Sequence, residues 1–527
     1  MKDRVSLTDF LMYHKETHPI SFHMPGHKGR STLYGIYGFG DFVKNVVGND
    51  ITEIPGADAL QQPRERIKDI MEGYAGLYGA KHTELLVNGS SAGLMASILG
   101  SVPRGGKLLM GRNSHKSVYG ALRLGGIDPV YIMPEIDGET GLQLGLDPDK
   151  IEAALIEDGG IKAVLVTSPN YYGVLSDIER IASIVHLHGR ILIVDQAHGA
   201  HLKFFDYLRS EDGLPHRAAE NCGADIVVDS THKTLLSFTG SAILNICTER
   251  PDVSRISELL RMLQTTSPSY LLMGSLDINQ QILRMDGYNL IKNWDADIKY
   301  FYEEAAQIAG LGLIDRIDLD ETKVSITMSA LGLSGPELAE ELEKRNIWVE
   351  LTHGDYVMLM TGLGNERGDY EDVLSALRDL SAHHGGRIQG VEPESSASKT
   401  ESVAQEAVQK QAKNEAQAAN KNASQPVDKI AELRTPSSDS ALIERLEQRK
   451  IPDTYEEVPL YSAEGRVLYE SIIPYPPGTP IACPGEVLSK SVILYVRDQL
   501  VAQHVVLGVD EEGRVKVESD CVLFKEI

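Results

Sequence analysis

The sequence predicts an α/β protein with a mostly parallel central sheet, followed by two smaller α+β units. Three observations predict it. Short, nearly uniform apolar runs recur between residues 65 and 290, as expected of strands buried on both faces. Helical periods lie between many of them. The chain has 527 residues, enough for three or four units at about 150 residues each.

In chain order, residues 1–64 read as an N-terminal arm. Gly, Pro and His are frequent there, and His23-Met24-Pro25-Gly26-His27-Lys28-Gly29 reads as a turn-rich segment rather than a core element. Residues 65–305 form the large unit. Its strands are expected at Leu85–Val87, Leu108–Met110, Val130–Ile132, Ala163–Val166, Ile191–Val194, Ile226–Val228 and Ala242–Leu244, with helices such as Pro148–Ile156 and Ile178–His188 between them. Residues 306–388 form a small α+β unit. Strands are expected at Lys323–Met328, Ile347–Leu351 and Tyr356–Met360, and helices at Gly335–Arg345 and Tyr370–His384. Residues 389–436 are rich in Ser, Ala, Gln, Glu and Lys. They bury too little apolar surface to offset their ordering entropy, so a flexible linker is expected. Residues 437–527 form a C-terminal unit, with strands expected at Val492–Val496 and His504–Gly508.

Composition narrows the function. Lys plus Arg number 51 and Asp plus Glu 76, a formal charge of -25. Such a chain repels phosphate backbones, which excludes nucleic acid as a partner class. The four cysteines, Cys222, Cys247, Cys483 and Cys521, are scattered, which fits a reducing compartment and offers no thiolate metal site. No signal-peptide pattern and no apolar run of about 20 residues is present, so a cytoplasmic protein off the membrane is expected. The P-loop, G-x-G-x-x-G, H-E-x-x-H and G-x-S-x-G motifs are absent.

Polar residues gather just beyond the predicted strands. Asn88-Gly89-Ser90-Ser91-Ala92-Gly93 opens a helical stretch, which suits either a phosphate site or an ordinary cap. Asp195-Gln196-Ala197-His198 follows another strand, where an acid would hold a cationic ring nitrogen or cap the next element. Asp195, His198 and His201 lack the companions of a metal site, and no metal is expected. Asp229-Ser230-Thr231-His232-Lys233-Thr234 follows a third strand. A desolvated lysine there becomes a nucleophile able to form a Schiff base. The order of phosphate turn, His, Asp and Lys is that of a pyridoxal phosphate (PLP) site, and it favours Lys233 over Lys116.

On these motifs the chain resembles the Orn/Lys/Arg decarboxylase family of bacterial PLP enzymes, with the aspartate-aminotransferase-like fold (fold type I). The resemblance also runs through Phe22 to Lys28, Asp50-Ile51-Thr52-Glu53, Asn113 to Ser117, Thr265 to Tyr270, and Tyr475-Pro476-Pro477-Gly478 with Pro484-Gly485-Glu486. It implies PLP on Lys233, Asp195 at the pyridinium nitrogen, and His115 and Ala197 on the two ring faces. Ser90, Ser91, Ala92, Ser230 and His232 would bind the phosphate, with His198 nearby, and Ser267 together with Thr265 would reach the neighbouring subunit's phosphate. Lys233, His115 and His232 would be the catalytic residues, Lys233 or a nearby His returning the proton to Cα. Glu53 and Glu486 would meet the distal cation of the substrate, whereas Asp58 reads as a surface charge. The implied reaction is decarboxylation of a basic L-amino acid, arginine ahead of lysine and ornithine. The alternatives are an aldol-type or transaminating enzyme, or a non-catalytic PLP-binding paralogue. Leu235 to Ser241 departs from the family pattern, placing Phe238 near the cofactor. The N-terminal wing domain of long members is missing from the chain, so a homodimer or a small multiple of dimers is expected, with active sites at the interface.

Overall fold

The computed structural model describes residues 6–388, 446–452, 454–475, 478–501 and 504–519. The predicted linker, 389–436, and the Pro476-Pro477 pair lie outside the described residues.

All seven apolar runs become strands of one sheet. They are β1 (His82–Leu86), β2 (Lys107–Gly111), β3 (Asp128–Ile132), β4 (Ile161–Thr167), β5 (Ile191–Asp195), β6 (Ile226–Asp229) and β7 (Ala242–Ile246). The spatial order is β1-β7-β6-β5-β4-β2-β3. Strands β3, β2, β4, β5 and β6 run parallel, and β7 is antiparallel to both β6 and β1. The near-uniform runs have their cause here: Leu108, Leu165, Ile193 and Val228 face one apolar cluster, and Leu109, Val164, Val194 and Val227 face another. Helices on both sheet faces therefore remove both side-chain sets from water.

The second sheet is antiparallel, in the order Leu351–His353, Tyr356–Met360, Lys323–Thr327 and Gly312–Leu313. The strand expected over Ile347–Leu351 divides. Ile347–Val349 instead pairs in parallel with Ile20–Phe22 of the arm. The arm is thus more than a loop: Phe22 is fully buried and Tyr34 nearly so. A further correction concerns Val492–Val496, expected as a strand. It lies inside the helix Lys490–Val501, with Val492, Ile493 and Val496 on the buried face. Five β-rich residues match a strand by composition, but their burial at i, i+1 and i+4 is a helical stripe. The segment expected as a strand near 504 is observed at Val505–Leu507. No helix among the described residues is long and apolar enough to cross a membrane.

Candidate active site

Parallel strands leave their carboxyl ends on one edge, and the polar residues follow there. The cavity at that edge has a volume of about 550 Å³. It collects Asp195, Ala197 and His198 after β5, His232 and Lys233 after β6, Ser90 after β1, and His115 after β2.

Lys233 rides on the helical turn Thr231–Thr234, where its N–H bonds the Ser230 carbonyl at 3.0 Å. Its Nζ lies 2.9 Å from His198 Nε2. Burial pushes the amine down to about 8, against the opposing pull of Asp195 and Glu350. Asp195 is itself buried, accepts the Ala197 N–H at 3.2 Å, and is pushed up by desolvation despite Lys233.

The histidines are held neutral by burial. His115 is pushed down to about 3, with Lys233 and Lys116 adding to the effect. It caps the helix Lys116–Gly125, its Nδ1 accepting the Ser117 N–H, so the neutral ring carries its proton on Nε2. His232 is pushed down to about 4, and its Nδ1–H donates to the Ser241 carbonyl at 2.7 Å. His198 is driven well below its ordinary value, and its Nδ1 has no hydrogen-bond partner.

The helix Gly89–Ser101 opens toward the cavity. The Asn88 side chain does not cap it, and the Gly89 N–H bonds the Gly240 carbonyl at 2.9 Å, so the N–H groups that follow Gly89 and the positive dipole end are what the helix offers an anion. Gly89 has φ +71°, a turn that a side chain would strain. Ser90 lines the cavity, whereas Ser91 and Ala92 lie in the same first turn away from its wall. Among the described residues, the buried Ser230 and Thr167 hydroxyls have no hydrogen-bond partner. An uncapped helix end, an orphaned hydroxyl, a buried acid and a desolvated amine together fit a phosphorylated, cationic, aldehyde-bearing ring such as PLP.

The expected substrate acids Glu486 and Glu53, and Ser267, are not brought to this cavity. Glu486 is buried and committed elsewhere: its Oε2 accepts Arg112 Nη2 at 2.8 Å and the Cys483 N–H at 2.7 Å. Within one chain these bonds tie the C-terminal segment to the end of β2 rather than placing Glu486 on the cavity wall. Glu53 and Ser267 lie on exposed loops of the same chain. Asp58, half-exposed, accepts backbone N–H bonds from Ala59, Arg64, Glu65 and Ile67, which hold it below the usual carboxylate range against partial desolvation. Phe238 turns away toward Phe42, Tyr34 and His27, leaving Thr239 on the cavity wall.

Other residues arrive from distant segments. Gly26 presses on the Lys233 turn: its N–H bonds the His232 carbonyl at 2.8 Å, and a Cβ there would meet the Leu235 carbonyl at 2.4 Å. That contact explains the Pro-Gly-His segment. Glu350 enters from the second sheet and accepts the Met24 N–H and the Tyr171 hydroxyl, each at 2.9 Å. Trp348, Tyr171 and Thr479 complete the wall. Glu350 ends the alternating Ile347-Trp348-Val349 strand, a polar residue at a strand end that sequence reasoning passed over.

Comparison with known proteins agrees with this geometry. A model of the "Orn/Lys/Arg decarboxylase, major domain" matches residues 5–311, and one of the family's C-terminal domain matches residues 439–508. An arginine decarboxylase of Bacillus cereus is 30% identical over 90% of this chain and 95% of its own length. One of Bacillus anthracis is 29% identical over 95% of this chain and 94% of its own. Among solved structures, lysine decarboxylase A from Pseudomonas aeruginosa superposes with a TM-score of 0.69 at 20% identity, covering 97% of this chain and 80% of that one. At that identity the likeness speaks for the fold.

Proposed function

The chain belongs to the Orn/Lys/Arg decarboxylase family, and from that premise we propose that it uses PLP in this cavity to decarboxylate a basic L-amino acid, with arginine preferred. The observation that carries the reading is the meeting of Lys233, His198, Asp195 and His115 in one cavity beside the open end of the helix Gly89–Ser101. The preference for arginine rests on relatives named arginine decarboxylase that align along nearly the whole chain.

Lys233 would hold the cofactor aldehyde, Asp195 its ring nitrogen, and Ser90, Ser230 and the helix N–H groups that follow Gly89 its phosphate. The cofactor, when bound, supplies the electron sink for the pair left behind by the departing carboxylate. With PLP bound, a cationic ring nitrogen would offset the desolvation of Asp195 and favour its charged form. His115 and Ala197 close the two ring faces and exclude water. Lys233, its Nζ 2.9 Å from His198 Nε2, would be the general acid that returns a proton to Cα. Glu350 has free acceptor positions on its carboxylate toward the substrate cation. Glu53 and Ser267, exposed on their own chain, serve a second copy in a homodimer.

An assay of CO2 and amine from arginine, lysine and ornithine tests this directly. Lys233→Ala removes amine production and the yellow colour of the purified protein. Formation of a keto acid in place of CO2 would refute the reading. Mixing inactive Lys233→Ala with inactive Glu53→Ala protein restores part of the activity if the sites are shared between two copies.

A further inference from the structure

Behind His198 lies a buried cation to which the chemistry above gives no task. Lys323, in the second sheet, is wholly buried. Its Nζ donates to Asp320 Oδ2 at 2.6 Å, to the His198 carbonyl at 2.6 Å and to Thr322 Oγ1 at 3.3 Å. The carbonyl it grips belongs to the residue whose imidazole lies 2.9 Å from the Lys233 amine. On the far side, Asp320 accepts His201 Nε2 at 3.1 Å. A continuous path therefore runs from the second sheet through Lys323 and His198 to Lys233. Packing alone does not call for this charge, since well-packed apolar residues of similar volume are often as stabilising as a buried ion pair.

We propose that Lys323 is a positioning residue for the Lys233 amine: it fixes the His198 main chain so that the neutral imidazole stays within hydrogen-bonding distance of Lys233 and holds the amine in place. The inference rests on the reading of Lys233 as the cofactor-bearing amine. The groups facing Lys233 are Asp195 and His198 after β5, His115 after β2, His232 on its own turn, and Glu350 and Lys323 from the second sheet. Asp195 and Glu350 favour a proton on the amine, and Lys323 opposes it. Around Lys323 stand Asp320, His198, His201 and Lys28. Removing Lys323 both frees the His198 carbonyl and withdraws the charge that opposes protonation.

The test uses full-length protein freed of cofactor with hydroxylamine. It is pulsed with acetic anhydride from about pH 6 to about pH 10, and the Lys233 peptide is quantified by mass spectrometry against that of exposed Lys162. Lys323→Met is expected to raise the labelling midpoint by about one pH unit, a roughly tenfold loss of labelling at a fixed pH below the midpoint. The Lys323→Met/Asp320→Asn double variant leaves no uncompensated charge from this pair and is expected to show the same rise, so it answers if the single variant fails to fold. A natively folded double variant with an unmoved midpoint overturns the proposal and leaves Lys323 a purely structural role. Failure of the decarboxylase reading shows up separately, as wild-type protein that releases no CO2 whatever its labelling midpoint.

Discussion

Two buried ion pairs seat outlying segments against the edge of the central sheet, and they are built differently. Lys323–Asp320 joins the second sheet to the residues after β5, and its side chains are 0% and 1% exposed. Arg112–Glu486 joins the C-terminal segment to the end of β2, at 2% and 3% exposure. Burial raises both carboxyl groups, but the outcomes are opposite. Asp320 accepts bonds from His201, Lys323, and both the N–H and the hydroxyl of Thr322, and it ends well below the usual carboxylate range. Glu486 accepts only from Arg112 and the Cys483 N–H and stays above its ordinary value. The lesson is that equal burial does not mean equal charge stability; the number of donors converging on the carboxylate decides it.

Neutralising each acid tests the comparison most strongly. Asp320→Asn is expected to cost about 3–5 kcal/mol, because it leaves Lys323 buried with its charge uncompensated. Glu486→Gln is expected to cost about 1–2 kcal/mol, since its carboxylate is already disfavoured. Urea denaturation of both variants checks this, and equal costs would break the distinction.

Acid separates the pairs by sign. The folded pKa of Asp320 is depressed, so its contribution is present above the unfolded value of about 3.9 and fades as pH falls below that. The folded pKa of Glu486 is raised, so the folded protein binds the proton first and this group favours folding more as pH falls toward about 4.3. The difference in stability between wild type and Glu486→Gln should therefore change as pH falls toward the unfolded value of about 4.3, while that for Asp320→Asn holds steady until below about pH 4.

The histidines set the background to these changes. His115 is held near 3, and His232 and His27 near 4, so the folded protein keeps them neutral where the unfolded chain takes up protons. Overall stability is expected to fall as pH drops from about 6.5 to about 4, and His27→Phe should flatten that slope. The smallest effect is a control remote from both pairs. Asp147 caps the helix Pro148–Glu157, and Asp147→Ala should cost about 1 kcal/mol with amine production unchanged.

Much of the fold was legible because strands buried on both faces must be apolar at every position. The runs at Leu108, Val164, Ile193 and Val227 could not be disguised. The segment at Val492 was misread because a short apolar run carries no period of its own until its burial is seen. The site residues after β5 and β6 were legible for a topological reason: parallel strands bring their carboxyl ends together whatever lies between them in sequence.

What the sequence determined by itself was the central sheet and the strand edge at which Lys233 and Asp195 meet. Tertiary structure alone decided which charges are free. In the linear chain Glu486 reads as a substrate ligand and Lys323 as one residue of a strand. Folding desolvates them, and a buried charge must find its partners across hundreds of residues, as Arg112 does with Glu486 and Lys323 with the His198 carbonyl.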